Sequence, residues 1–156
     1  MNLFNIKRAY DDMIPRGWDT IYICIDVHDV ILEGKYNRHN VGAQYMPNAL
    51  EVLRQWTKRP EVRLILWSCS YDDATKDVLA GLADQGVKFD YINENPECPD
   101  TEMCNFSKKF YFNVLLDDKA GFEGATDWHL IEKELKKIGK WDLLPGHLGI
   151  GLKLEL

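Results

Sequence analysis

The stretch Ile21-Tyr22-Ile23-Cys24-Ile25-Asp26-Val27-His28-Asp29-Val30 decides the fold. A continuous apolar run, rich in β-branched side chains, reads as a buried strand. It stops abruptly in acidic residues, which places carboxylates at one rim of a sheet. In open α/β sheets, ligands bind along the rim formed by the C-terminal ends of the strands.

Two other runs end in the same manner. Val114-Leu115-Leu116 leads into Asp117-Asp118, and Leu64-Ile65-Leu66-Trp67 leads into Ser68. Strands are therefore expected at Ile21–Ile25, Arg63–Trp67 and Asn113–Leu116, with a weaker one at Phe89–Ile92. Helical spacing links Leu3, Ile6, Tyr10 and Met13, with Pro15 and Gly17 as the expected stop. Pro47 is expected to open a helix that carries Leu50, Leu53 and Trp56 on one face. Ser70-Tyr71-Asp72-Asp73 resembles a capping box for a helix reaching about Gln85, closed by Gly86. Another helix is expected over Asp127–Lys137. The alternating tail Ile150, Leu152, Leu154, Leu156 suggests a final edge strand.

Strands alternating with helices predict an α/β fold. Its form is a three-layer, Rossmann-like parallel sheet with helices on both faces. Right-handed crossovers then bring every strand's C-terminal end to one rim. Asp26, His28, Ser68 and Asp117 converge there, although they are distant in sequence. Residues 1–156 read as one domain with its core over about 20–140. The connections Glu33–Tyr45 and Asn93–Ser107 are too short for a large cap domain.

Composition narrows the function. The chain has 156 residues, of which 46% are hydrophobic and 28% charged, as in ordinary soluble domains. No apolar stretch is long enough to span a bilayer, and Met1–Arg8 lacks a signal-peptide pattern, so a cytoplasmic location is expected. A net charge of −6 disfavours nucleic acid as a partner, although Lys35, Arg38 and His39 near the rim could grip a polyphosphate. Cys24, Cys69, Cys98 and Cys104 form no CxxC pair, and their spacing gives little support for a zinc site.

The rim residues suit metal-assisted phosphoryl transfer. Magnesium takes oxygen ligands, commonly one or two carboxylates with waters and phosphate. Asp26 and Asp117 supply such a pair, and a cation relieves the repulsion between crowded carboxylates. An aspartate can also attack phosphorus. Ser68 and Lys109 can hold phosphoryl oxygens as charge shifts. Taken singly, a strand-end Asp more often caps a turn, and Ser68 or a lysine pair more often meets solvent. The ordered combination carries the catalytic reading.

That combination resembles the haloacid dehalogenase-like phosphohydrolase superfamily. The motifs are Asp26 to Val30, Ser68 after Leu64-Ile65-Leu66-Trp67, Lys109, and Asp117-Asp118. Lys109-Phe110-Tyr111-Phe112-Asn113-Val114-Leu115-Leu116-Asp117-Asp118-Lys119-Ala120, with Asp127-Trp128 beyond it, is similar to small capless bacterial and phage members. The resemblance spans about Ile21 to Lys137. It implies a magnesium-dependent phosphatase with Asp26 as nucleophile and metal ligand. Asp117 and Asp118 would complete the metal site, together with the backbone carbonyl of His28. Ser68 and Lys109 would bind the phosphoryl group, and the partner would be a phosphorylated substrate.

The departure from the family pattern is His28, where its phosphatases usually carry a second Asp as acid and base. A histidine is chemically able to do that work. It also opens a different reading, that of a weakened relative that binds phosphate or a partner protein. Asp29 is next door, but a one-residue shift in extended chain points its side chain elsewhere. A third reading is a phosphatase of nucleic-acid ends, against which the acidic charge counts. Oligomeric state and substrate identity have no signature in the sequence.

Overall fold

The computed structural model describes residues 5–35 and 37–139. Its elements run α1 (Ile6–Arg16), β1 (Ile21–Asp26), α2 (Ala49–Lys58), β2 (Val62–Trp67), α3 (Asp72–Asp84), β3 (Tyr91–Ile92), β4 (Val114–Leu116) and α4 (Asp127–Ile138). The expected strand at Ile150–Leu156 lies outside the described residues. The four strands form one parallel sheet in the order β3-β2-β1-β4. The α/β class and the Rossmann-like parallel sheet follow the expectation, and no large cap is present among the described residues.

Alternation along the strands sorts the core. Ile21, Ile23 and Ile25 of β1, Val62, Leu64 and Leu66 of β2, and Val114 and Leu116 of β4 join one apolar cluster. Side chains from all four helices fill the same cluster, including Met13, Leu53, Trp56, Val78, Leu82, Trp128 and Ile131. Trp56 and Trp128 meet edge to face with centroids 6.1 Å apart. Truncating either ring to Ala would remove about 3–5 kcal/mol of stability.

The opposite face carries Tyr22, Cys24, Arg63, Ile65 and Trp67 and is covered differently. Rings of Tyr111 and Phe110 pack on Tyr22 and Trp67, at 6.1 and 5.5 Å between centroids. Glu97 bonds Arg63 at 3.1 Å and also accepts from Tyr91. The cover is thus the irregular segment 93–113, where a second helical layer was expected. The crossover rule explains this. The steps β1 to β2 and β2 to β3 go the same way, so right-handed connections put α2 and α3 on one face. Arg54 of α2 accordingly bonds the Gln85 carbonyl at the end of α3, at 2.6 Å. Only the step from β3 to β4 returns over the other face, and residues 93–113 contain no helix.

Helix ends depart from expectation in three places. Pro15 lies inside α1, which runs on to Arg16 and is closed by Gly17, φ +68, the second of the two expected stops. The proline removes an N–H only in the last turn, and the Asp11 carbonyl it would have bonded lies on the exposed face, open to water. Pro47 does not open α2: Asn48, with φ +64, stands between it and Ala49, and asparagine tolerates that conformation. Ser70 does not cap α3. Tyr71 is the cap residue without a side-chain bond, and the Ser70 N–H instead donates to Ser68 Oγ at 3.1 Å. Gly86, φ +79, follows α3 as expected.

Candidate active site

Register builds the site. Asp26 ends β1 beside Trp67 of β2, and Ile25 pairs with Leu116 of β4. Because the strands are parallel, Asp26, Ser68 and Asp117 leave the sheet at the same rim. One carboxylate oxygen each from Asp26, Asp117 and Asp118 lies within 4.8 Å of the others.

Backbone donors fix two of these groups. Asp26 Oδ1 accepts the Val27 N–H at 2.9 Å. Asp117 Oδ1 accepts the Lys119 N–H at 2.8 Å, capping a single 3₁₀ turn over Asp118–Ala120. Asp118 faces the Lys119 ammonium at 3.4 Å. Among the described residues, no backbone donor reaches the second oxygen of Asp26 or Asp117. The donor set is hard, anionic and convergent, and so it fits a magnesium-like cation rather than a soft metal.

Electrostatics agree with that fit. Burial, reinforced by the neighbouring Asp117 and Asp118, pushes the Asp26 carboxyl up to about 6 even though the Val27 N–H opposes it. Burial also acts upward on Asp118. There Lys119, with hydrogen bonds shared with Asp117 and Asp26, outweighs it and leaves the group below the usual carboxylate range. Cys24, beneath them, is pushed up to about 12 by burial and by Asp117 and Asp26, so it remains a protonated, apolar filler.

His28 and Asp29 begin the loop after β1. The His28 ring is half-buried, and its Nε2 lies 2.8 Å from Asn40 Oδ1. Asn40 is buried at 8% exposure, has φ +56, and its Nδ2 has no partner among the described residues. Asp29, φ +60, sits in a left-handed turn rather than extended chain, and its carboxylate accepts the Gly34 N–H at 2.7 Å. The loop is anchored from below by Trp128, whose Nε1 donates to the Val30 carbonyl at 2.6 Å.

Ser68 is held at the rim by Asn93. Its N–H donates to Asn93 Oδ1 at 2.9 Å, and its carbonyl accepts from Asn93 Nδ2 at 2.7 Å. Lys109 is exposed and makes no ion pair or hydrogen bond with a described residue. Lys108 is exposed as well. The Phe110 ring on Trp67, the β2 neighbour of Asp26, brings the lysine segment to the same rim. Asn40 and Asn93 were not singled out in the sequence. Each sits in a polar loop that carries no motif, and tertiary contact alone reveals it.

No protein-family model and no curated protein matches the sequence. Solved structures do. A conserved protein from Bacteroides thetaiotaomicron superposes with a TM-score of 0.57 at 24% identity, over 78% of this chain and 93% of the other. The two chains share the α/β fold described above. A D,D-heptose 1,7-bisphosphate phosphatase from B. bronchiseptica, complexed with magnesium and phosphate, overlaps with a TM-score of 0.39 at 15% identity, over 53% of this chain and 54% of that one. In this fold the acidic rim lies at the ends of β1 and β4. Among the described residues, no helix is long and apolar enough to cross a membrane.

Proposed function

We propose that the protein is a magnesium-dependent phosphatase that hydrolyses a phosphate monoester through a covalent phosphoryl group on Asp26. The observation that carries the reading is the triad of Asp26, Asp117 and Asp118, with carboxylate oxygens within 4.8 Å at the C-terminal rim of the sheet. Carboxylates crowded so closely repel one another, and a bound cation relieves that repulsion. The oxygen donor set selects a hard divalent ion, held by Asp26, Asp117 and Asp118 and by the His28 carbonyl. When bound, that ion neutralises phosphoryl charge and lets an anionic nucleophile approach.

The chain's own residues divide the remaining work. Val27 N–H fixes one oxygen of Asp26 and aims the other at phosphorus. Attack forms the Asp26–phosphorus bond and breaks the bond to the leaving-group oxygen, which needs a proton. His28 is the group placed to give it, and afterwards to accept a proton from the water that cleaves the acyl phosphate. Because Nε2 is engaged by Asn40, Nδ1 is the nitrogen left for that exchange. Ser68 and the ammonium of Lys109 grip the phosphoryl oxygens.

The test is turnover of a panel of phosphate esters with added magnesium, plus acid-quenched labelling with radioactive phosphate. Label bound to the parent protein and absent from Asp26→Asn supports the reading. Turnover that persists in Asp26→Asn defeats it. The tie between His28 and Asn40 also favours a second reading, in which the ring packs structurally and the protein binds phosphate without turning it over. No turnover across the panel, with retained phosphate binding, selects that alternative. A cytoplasmic location is part of the same proposal.

A further inference from the structure

Beside the acidic triad lies a cavity of about 630 Å³, and none of Asp26, Asp117 or Asp118 lines it. It begins two residues after Asp26, at His28, and one residue after Ser68, at Cys69. Its far wall holds Lys35, Arg38 and Tyr71. The cavity thus opens at residues that closely follow Asp26 and Ser68 in the two rim loops.

The Arg38 guanidinium is pre-positioned. It stacks over the Tyr71 ring at 4.5 Å, and its Nη2 donates to Asp73 of α3 at 2.8 Å. Nε and Nη1 bond no acceptor among the described residues. His39, next in the chain, bonds Asp77 of α3 at 2.6 Å, so the loop is tied to the helix at two points. Among the described residues, Lys35 pairs its ammonium only with Glu33, at 2.9 Å, which leaves donors to spare. The one carboxylate in the wall, Asp29, is occupied by the Gly34 N–H. In a chain of net charge −6, this wall gathers spare cationic donors next to the phosphoryl position. A stacked, carboxylate-braced arginine loses little freedom when it takes a second oxyanion.

We infer that this cavity receives the leaving group, and that the leaving group carries a second anion, a phosphate or carboxylate, held by Arg38 with Lys35. The inference rests on the phosphatase reading for its direction, but its test does not require turnover. The probes are alkane α,ω-bisphosphonates with two to six methylenes, compared with alkylphosphonates of matching length. Both are titrated calorimetrically into the magnesium-loaded protein.

At least one bisphosphonate should bind about tenfold or more tightly than its monophosphonate partner. In Arg38→Gln that ratio should fall to about twofold or less. Lys76→Gln, which removes a cation of α3 outside the cavity wall, should leave it intact. A ratio near one in the parent, or a ratio retained in Arg38→Gln, overturns the inference. So does an equal gain from benzylphosphonate, which would mean stacking on Tyr71. If esters are never turned over while the bisphosphonate preference stands and depends on Arg38, the phosphatase reading fails and the anion cavity survives.

Discussion

Nε2 of His28 lies 2.8 Å from Oδ1 of Asn40, so the one side chain that departs from the phosphatase motif is tied to a buried amide. Such a tie orients the imidazole and dictates which nitrogen remains for chemistry. His28→Ala should lower turnover of alkyl phosphates about a hundredfold, a usual size for a lost general acid. The loss should be much smaller with nitrophenyl phosphate, whose leaving group needs no proton. Asn40→Ala should shift the same ratio in the same direction. Equal losses on both esters would remove His28 from proton transfer. A large gain in His28→Asp over an inactive parent would favour the binding-protein reading.

The raised Asp26 carboxyl links the site to stability. Its folded value of about 6 exceeds the ordinary aspartate value of about 3.9. The folded state therefore holds this proton more tightly than the unfolded state does. The resulting stabilisation is complete below pH about 4 and is lost as pH rises through about 6. Metal-free protein should show a Tm component that falls across that window. Asp26→Asn should abolish this component and raise Tm at pH 7, while eliminating turnover and weakening magnesium binding. Magnesium should restore Tm at pH 7 in the parent, and chelation should reverse it. A flat Tm profile, identical in parent and Asp26→Asn, would contradict the linkage.

Lys108 and Lys109 are both exposed, and function should separate them. Lys109→Ala should reduce kcat/KM by about a hundredfold, the scale for one lost charge-stabilising group. Lys108→Ala should stay within about twofold on the same substrate. Similar small effects from both would mean that neither ammonium reaches the phosphoryl group.

Gly124 bears on the catalytic loop from outside it. A Cβ at this position would stand 2.4 Å from the Asp29 carbonyl oxygen, a backbone atom that cannot swing aside. Gly124→Ala should cost about 1–3 kcal/mol in urea unfolding. It should also depress turnover, because Asp29 adjoins His28. Unchanged stability and activity would show that the loop has room to relax.

The convergence of Asp26 with Asp117 was legible in the sequence because parallel winding leaves the ends of β1 and β4 no other place to go. Asp118 was expected only through the resemblance to a family with an acidic pair at that place, and the fold brings it to the same rim. Asp29 was expected in extended chain, whereas it takes a left-handed turn and its carboxylate is engaged by the Gly34 N–H. Asn40 and Asn93 were not legible, because their importance comes from groups distant in sequence that only the folded chain brings near. The cover of the second face was misread for a different reason. Counting helices does not assign them to faces, whereas the direction of each crossover does. Pro15 and Pro47 misled because proline constrains only its own turn, and neighbouring Gly17 and Asn48 set where each helix actually ends or starts.

The irregular segment over the second face gives the site an uneven mechanical character. Asp26 and Asp117 hang from β1 and β4, whose hydrogen-bonded ladders seal one wall of the main core, and amides there exchange only when much of the domain opens. Lys109 belongs to a covering made of rings and loop bonds, and Asn93, which pins Ser68, stands at its start. If that covering opens locally, as irregular segments do at lower free energy than strand ladders, the ladders can stay closed. The carboxylates would then hold their cation on a rigid floor, while the grip on the phosphoryl group loosens and re-forms above it. Release of product phosphate would need no movement of the metal ligands.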